Sequence, residues 1–143
     1  MPYPEQLCAP MRKELTSIGF NELKDTQEVD QNIPNNQGTT LLVVNSVCGC
    51  AAGAARPGVR LALSKSEIKP DNLVTVFAGQ DVEATGQARK YLAPYPPSSP
   101  CIALFKDGRL VHMIERHNIE GHSAEMIAEN LTAAFDEFCA VKA

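Results

Sequence analysis

Two thiols separated by a single glycine, Cys48-Gly49-Cys50, are the residues of this sequence whose types and spacing most directly offer chemistry. A pair this close can shuttle between dithiol and disulfide, can hold a soft metal with a further thiolate, or can pack as two small hydrophobes. The thiolate, not the thiol, attacks sulfur, so reactivity depends on what surrounds the pair. Gly49 allows the backbone conformation that brings the two thiols together. A disulfide closed over so short a span is strained, and strained disulfides are more oxidising. That predicts a redox poise suited to exchange or isomerisation rather than to strong reduction. Cys8, Cys101 and Cys139 bring the cysteines to five, an odd number with no framework-like spacing. In a reducing compartment such closely spaced cysteines are more often catalytic or metal-binding than structural.

The elements around the pair follow from hydrophobic periodicity. Leu7, Met11, Leu15 and Ile18 lie on one face of a helix over Pro4 to Ile18, closed by Gly19. Thr26 is placed to cap a short helix carrying Val29 and Ile33, ended by Pro34. The run from Thr39 to Asn45 is apolar through its middle and β-branched, as a strand buried on both faces is. Ala51 to Leu63 reads as a helix kinked at Pro57, and Leu73 to Phe77 as a second buried strand. Asp81 caps a helix through Leu92 with Val82, Thr85, Ala88 and Leu92 inward. After a proline-rich loop, Cys101–Phe105 and Leu110–Ile114 flank Lys106-Asp107-Gly108-Arg109, a strong hairpin signal. Ser123 caps a last helix whose apolar positions are Met126, Ile127, Leu131, Ala134, Phe135 and Phe138. The expected class is α/β, with a β-α-β-α-β-β-α core preceded by extra N-terminal helices, in one domain over residues 1–143. That order of elements is the one a thioredoxin-like domain uses.

In such a fold the pair sits where a strand ends and a helix begins, the usual place for a site in an open α/β sheet. The helix N-terminus presents unpaired N–H groups and positive potential, which favour a thiolate. Cys48, nearer the loop, is therefore the expected nucleophile, and Cys50, further into the helix, the resolving thiol. The third strand runs antiparallel to the first, so Ser99 and Pro100 at its start face the pair. Pro100 is expected to be cis, and Ser99 and Pro100 to receive the substrate. Cys101 follows directly, either as a third thiol or as a small buried side chain. The loop Glu115 to His122 returns to the same end, with Arg116 and His117 as donors to an anion, or simply as a solvated turn. Arg56 either lends positive potential or makes a surface salt bridge.

Composition narrows the class. Hydrophobic residues make up 44% and charged residues 21% of the 143-residue chain, with a net charge of −4 and no cluster of Lys and Arg, so nucleic acid is not an expected partner. No apolar run approaches the roughly 20 residues of a membrane helix, and the first residues carry no secretory signal, which together predict a cytoplasmic protein. Sulfur carries the exchange by itself, so neither a cofactor nor a metal is expected. Two other classes fit the same residues: a metal or iron–sulfur protein using Cys48, Cys50 and Cys101, and a non-enzymatic thiol sensor.

The run Val43-Val44-Asn45-Ser46-Val47-Cys48-Gly49-Cys50-Ala51-Ala52-Gly53 resembles the signature of the bacilliredoxin family. So do Val76-Phe77-Ala78-Gly79-Gln80-Asp81, Pro97-Ser98-Ser99-Pro100 and Ile119-Glu120-Gly121-His122. Met11 to Leu15 and Asn130 to Asp136 extend the likeness to both terminal helices. The resemblance implies a thioredoxin-like fold with a Cys-Gly-Cys site that removes bacillithiol, a low-molecular-weight thiol, from S-bacillithiolated client proteins; disulfide isomerase activity is also attributed to the family. It implies that Cys48 becomes S-bacillithiolated, that Cys50 resolves, and that Pro100 faces the site. Cys101 departs from the family pattern, where a serine is usual. Bacillithiol carries carboxylates, which Arg116 and His117 are expected to contact.

Overall fold

A computed structural model describes residues 3–140; the remaining two N-terminal and three C-terminal positions of the expected 1–143 domain lie outside the described residues. The chain order is α1 (Glu5–Thr16), β1 (Asn21–Glu22), α2 (Thr26–Asn32), β2 (Thr39–Asn45), a π-helical turn (Ala51–Ala55), α3 (Arg56–Lys65), β3 (Asn72–Phe77), α4 (Val82–Lys90), β4 (Cys101–Lys106), β5 (Arg109–Ile114), α5 (Arg116–Ile119) and α6 (Ala124–Phe138). One sheet is ordered β1-β3-β2-β4-β5. β3 is parallel to both β1 and β2, whereas β4 is antiparallel to β2 and to β5. The α/β class is thus observed, with β2 to β5 following one another along the chain in the expected order of elements.

Every residue of β2 is buried, because both faces of this central strand are covered. Leu41 and Val43 face a core with Ile102, Leu104 and Ile114, closed by α3 and α6 through Val59, Ala62, Leu131 and Phe135. Leu42 and Val44 face the opposite core, with Val74, Val76, Cys101, Ala103 and Phe105 under α2 and α4. A strand alternates its side chains between faces, so two cores require apolar residues at successive positions. The β4–β5 turn closes at Asp107 (φ 50°) and Gly108 (φ 81°), the left-handed pair that a two-residue hairpin demands.

Several local expectations are corrected. The cap of α2 is Asp25, whose carboxylate accepts the Glu28 N–H at 2.8 Å, not Thr26. The irregularity expected at Pro57 takes the form of the π-helical turn just before it, which passes directly into α3 with the Arg56 N–H donating to the Ala51 carbonyl and Pro57 at the second position of α3. Leu7, Val82 and Met126 point to solvent rather than inward, while Cys8 and Arg12 take the buried side of α1. The Glu115–His122 loop contains the helical turn α5, closed by a reciprocal Glu115–Asn118 capping box. β1, two residues long, was not foreseen. Ser123 caps α6 as expected, accepting the Met126 N–H at 3.2 Å.

The two helices over the first core meet at Gly58. A Cβ there would lie 2.7 Å from Ile127 Cβ and Cγ2 and 3.1 Å from the Ala124 carbonyl. Gly58→Ala gains about 1 kcal/mol of helix propensity but forces α3 from α6, at about 1–3 kcal/mol for overpacking. The expected net result is a lower urea midpoint for Gly58→Ala; an unchanged or higher midpoint would contradict this packing.

Candidate active site

The carboxyl end of β2 delivers the chain to the dithiol. Ser46 follows the strand, Cys48 lies in the turn, and Cys50 starts the π-helical turn. The Cys48 carbonyl accepts the N–H groups of Ala51 and Ala52 at 3.1 and 3.2 Å, which fixes the pair at a helical start. The two sulfurs stand 2.9 Å apart as free thiols, hydrogen-bonded to each other. Gly49 is not among the positive-φ residues, and a Cβ there would meet nothing within 4 Å. The expected close approach of the two thiols is therefore reached without a positive φ at Gly49.

The environment separates the two thiols. Partial burial pushes Cys48 up, but the hydrogen bond from Cys50, the Ser46 hydroxyl, the Ala51 N–H and the charge of Arg116 outweigh it, leaving Cys48 below the ordinary thiol value. Burial raises Cys50, and the hydrogen bond and negative charge of Cys48 raise it further. One site thus favours a single thiolate, carried on Cys48, with a proton held on Cys50. Such a pair can attack a disulfide sulfur with the first thiol and resolve the product with the second.

The antiparallel β4 brings the other expected residues to this end. Cys101 pairs with Val44 and Ile102 with Ile114, so Ser99, Pro100 and Arg116 lie beyond the same edge as Ser46. The Ser99–Pro100 peptide is cis, as expected, and so is Ala93–Pro94. Arg116 donates through Nη1 to the Ser99 carbonyl at 3.0 Å and holds Glu120 at 3.2 Å, while its charge reaches both sulfurs. His117 turns away to Glu115 Oε2, 3.0 Å off, with most of its side chain in solvent. His122 lines a hollow of about 350 Å³ between β5 and α6 with Asn118, Met126 and Asn130.

Cys101 does not join the dithiol. It is fully buried among Leu42, Val44 and Ala103, on the sheet face away from the core that Cys50 packs against. Burial pushes its thiol up to about 12. Among the described residues no three Cys, His, Asp or Glu side chains converge as metal ligands. Arg56 is buried, yet it forms the expected salt bridge, Nε to the half-exposed Glu14 Oε2 at 3.0 Å, while Nη1 donates to Asn45 Oδ1 and to the Ser46 carbonyl, both at 2.8 Å. Asn45 and Ser46 carried no assigned role in the sequence, although both sit inside the motif that carries the resemblance.

Compared with known families, residues 3–139 match the one described as disulphide isomerase. A bacilliredoxin of Cytophaga hutchinsonii is 58% identical over 135 residues, covering 94% of this chain and 98% of its own. Another, from Geobacillus kaustophilus, is 56% identical over 137 residues, covering 96% and 94%. Among solved structures, Malassezia sympodialis thioredoxin superposes with a TM-score of 0.57 at 13% identity, over 85% of this chain and 92% of that one. The N21Q mutant thioredoxin of Halobacterium salinarum gives 0.57 at 15% identity, with the same coverage. At such identity the likeness concerns the fold, which is thioredoxin-like. Among the described residues no helix is long and apolar enough to cross a membrane.

These environments rank the thiols. In the native reduced protein, iodoacetamide should label Cys48 first, with a rate that rises with pH about a midpoint below pH 9.0, the ordinary thiol value. Cys101 should label after unfolding and not before, as peptide mass mapping would show. Native labelling of Cys101 at the pace of Cys48 would overturn this order.

Proposed function

The chain belongs to the bacilliredoxin family, matched over residues 3–139 by the disulphide isomerase description, and we propose that it removes bacillithiol from protein mixed disulfides. Its class is thiol–disulfide oxidoreductase. The observation that carries the finer reading is the asymmetric dithiol under Arg116. The Cys48 thiolate attacks the bacillithiol sulfur of the mixed disulfide. A Cys48–bacillithiol disulfide forms, and the client leaves as its thiolate, which takes up a proton. Cys50 then loses its proton and attacks Cys48 Sγ, so bacillithiol leaves as a thiolate and a Cys48–Cys50 disulfide remains. Two electrons from a thiol reductant return the enzyme to its dithiol. Sulfur carries every step. A cytoplasmic setting suits such a cycle, since thiols there stay reduced.

Substrate recognition falls to the rim. Ser99 and Pro100 bound the approach to Cys48, and the Arg116 guanidinium is the donor best placed for the carboxylates of bacillithiol. His117, rotated onto Glu115, supports the rim more weakly. The family description favours a second reading, isomerisation of protein disulfides. It begins with the same attack by Cys48, but a client thiol rather than Cys50 resolves the adduct.

Incubation of Cys50→Ser with an S-bacillithiolated client should leave bacillithiol on Cys48, seen by mass spectrometry, and release the client thiol. Cys48→Ser should leave the client modified. A client untouched by Cys50→Ser would sink the proposal, and turnover confined to a scrambled-disulfide protein would favour isomerisation.

Removing the Arg116 and His117 side chains together should lower kcat/KM for the bacillithiolated client about tenfold, the scale of one charge-assisted contact. Full activity in that double variant would exclude the rim from recognition.

A further inference from the structure

Beneath Cys48 runs a chain of buried polar groups that the exchange steps do not use. Ser46, 8% exposed, accepts the Cys48 N–H through Oγ at 3.2 Å. A hydroxyl that accepts one bond still has its own proton to give, and the bond it accepts holds it against the residue that carries the attacking sulfur. Ser46 is itself fixed on both sides. Its N–H donates to Asn45 Oδ1 at 2.9 Å, and its carbonyl accepts Arg56 Nη1 at 2.8 Å. The same Nη1 donates to Asn45 Oδ1 at 2.8 Å, so one nitrogen pins the peptide units before and after Ser46. Arg56 is 3% exposed and is anchored in turn by Nε on Glu14 Oε2 at 3.0 Å, while Asn45 Nδ2 holds the Met11 carbonyl at 3.2 Å.

A buried cation is a poor choice for stability alone, because an apolar side chain of similar volume serves a closed site at least as well. What a guanidinium adds is a planar fork that aims several donors at once. We infer that Ser46 is a donor to the Cys48 thiolate and that Arg56 is the positioning residue that holds it there, through Asn45 and the Ser46 carbonyl. The inference rests on Cys48 as the attacking thiol and on nothing about bacillithiol. The other groups facing the Cys48 sulfur are Cys50, the Ala51 N–H and Arg116.

The test is the pH midpoint of Cys48 alkylation by iodoacetamide, which needs no client. Ser46→Ala should move the midpoint up and slow alkylation at pH below the wild-type midpoint by about tenfold, the worth of one hydrogen bond to a charged group. Ser46→Thr keeps the hydroxyl and should restore the wild-type profile. Arg56→Met should give a smaller upward move, about threefold in rate on the same scale, and no further move when Ser46 is already Ala. Arg56→Lys retains a charge but loses the fork, and should behave as Arg56→Met does. Where Arg56→Met does not fold by circular dichroism, Arg56→Lys takes its place in the same cycle. An unmoved midpoint in Ser46→Ala would overturn the donor role. A wild-type midpoint in Arg56→Lys, or an Arg56 effect that persists undiminished in Ser46→Ala, would overturn the positioning role. If wild-type Cys48 reacts no faster than an unfolded cysteine, the failure lies with Cys48 as nucleophile instead.

Discussion

Burial of β2 on both faces is the constraint from which the rest of the molecule follows. A strand with Leu41 and Val43 on one side and Leu42 and Val44 on the other needs helices above and below it. It also needs neighbours along both edges, which β3 and β4 supply. Where β2 stops, at Asn45, its side-chain amide and the following backbone emerge from that dry interior with polar groups to satisfy. Arg56 and the carbonyl of Met11 meet those needs, so the turn bearing Cys48 is held by the same interior that holds the strand. A mobile loop could not keep two sulfurs in contact against the entropy of ordering them.

The sheet also decides which cysteines can act together. Cys50 packs toward α3 and α6, while Cys101 lies across the sheet under α4, beside Leu42 and Val44. The register puts Cys101 opposite Val44, close along the strand to the dithiol yet on the other face. Alternation with a period of two is responsible: a shift of one residue would bring that thiol to the site, and the apolar pattern forbids the shift. The pair is therefore two and not three, and the burial that removes Cys101 from solvent also keeps its proton on.

How much of this could be read from the sequence depends on how local the deciding interaction was. β2, β3 and the Asp107-Gly108 turn were legible because their signals lie in consecutive residues. The site was legible too, since a strand end followed by a helix start fixes where Cys48-Gly49-Cys50 must be. Arg12 and Arg56 were not. Each is a charged residue on a helix, and the usual expectation puts such residues in water. Both are buried by partners outside their own helices: Asp81 for Arg12, and Asn45, the Ser46 carbonyl and Glu14 for Arg56. The exposed faces of Leu7, Val82 and Met126 were misread for the complementary reason, that helical spacing marks a stripe without saying where its edges fall.

Charge then explains why the rim is built from an arginine. Two sulfurs 2.9 Å apart cannot both be anionic without strong repulsion, so the first ionisation opposes the second. A cation nearby eases both, and Arg116 does so while bound to the Ser99 carbonyl and to Glu120. A lysine would supply the charge at one point, whereas the guanidinium spreads it across a plane that also fixes the substrate edge. Glu120 keeps that plane oriented without neutralising the site, because the pair is exposed and screened by water. Ionisation of Cys48 and the shape of the approach to it thus depend on the same side chain. A change at the rim is felt at the sulfur, and a negative charge gained at the sulfur tightens the hold on the rim.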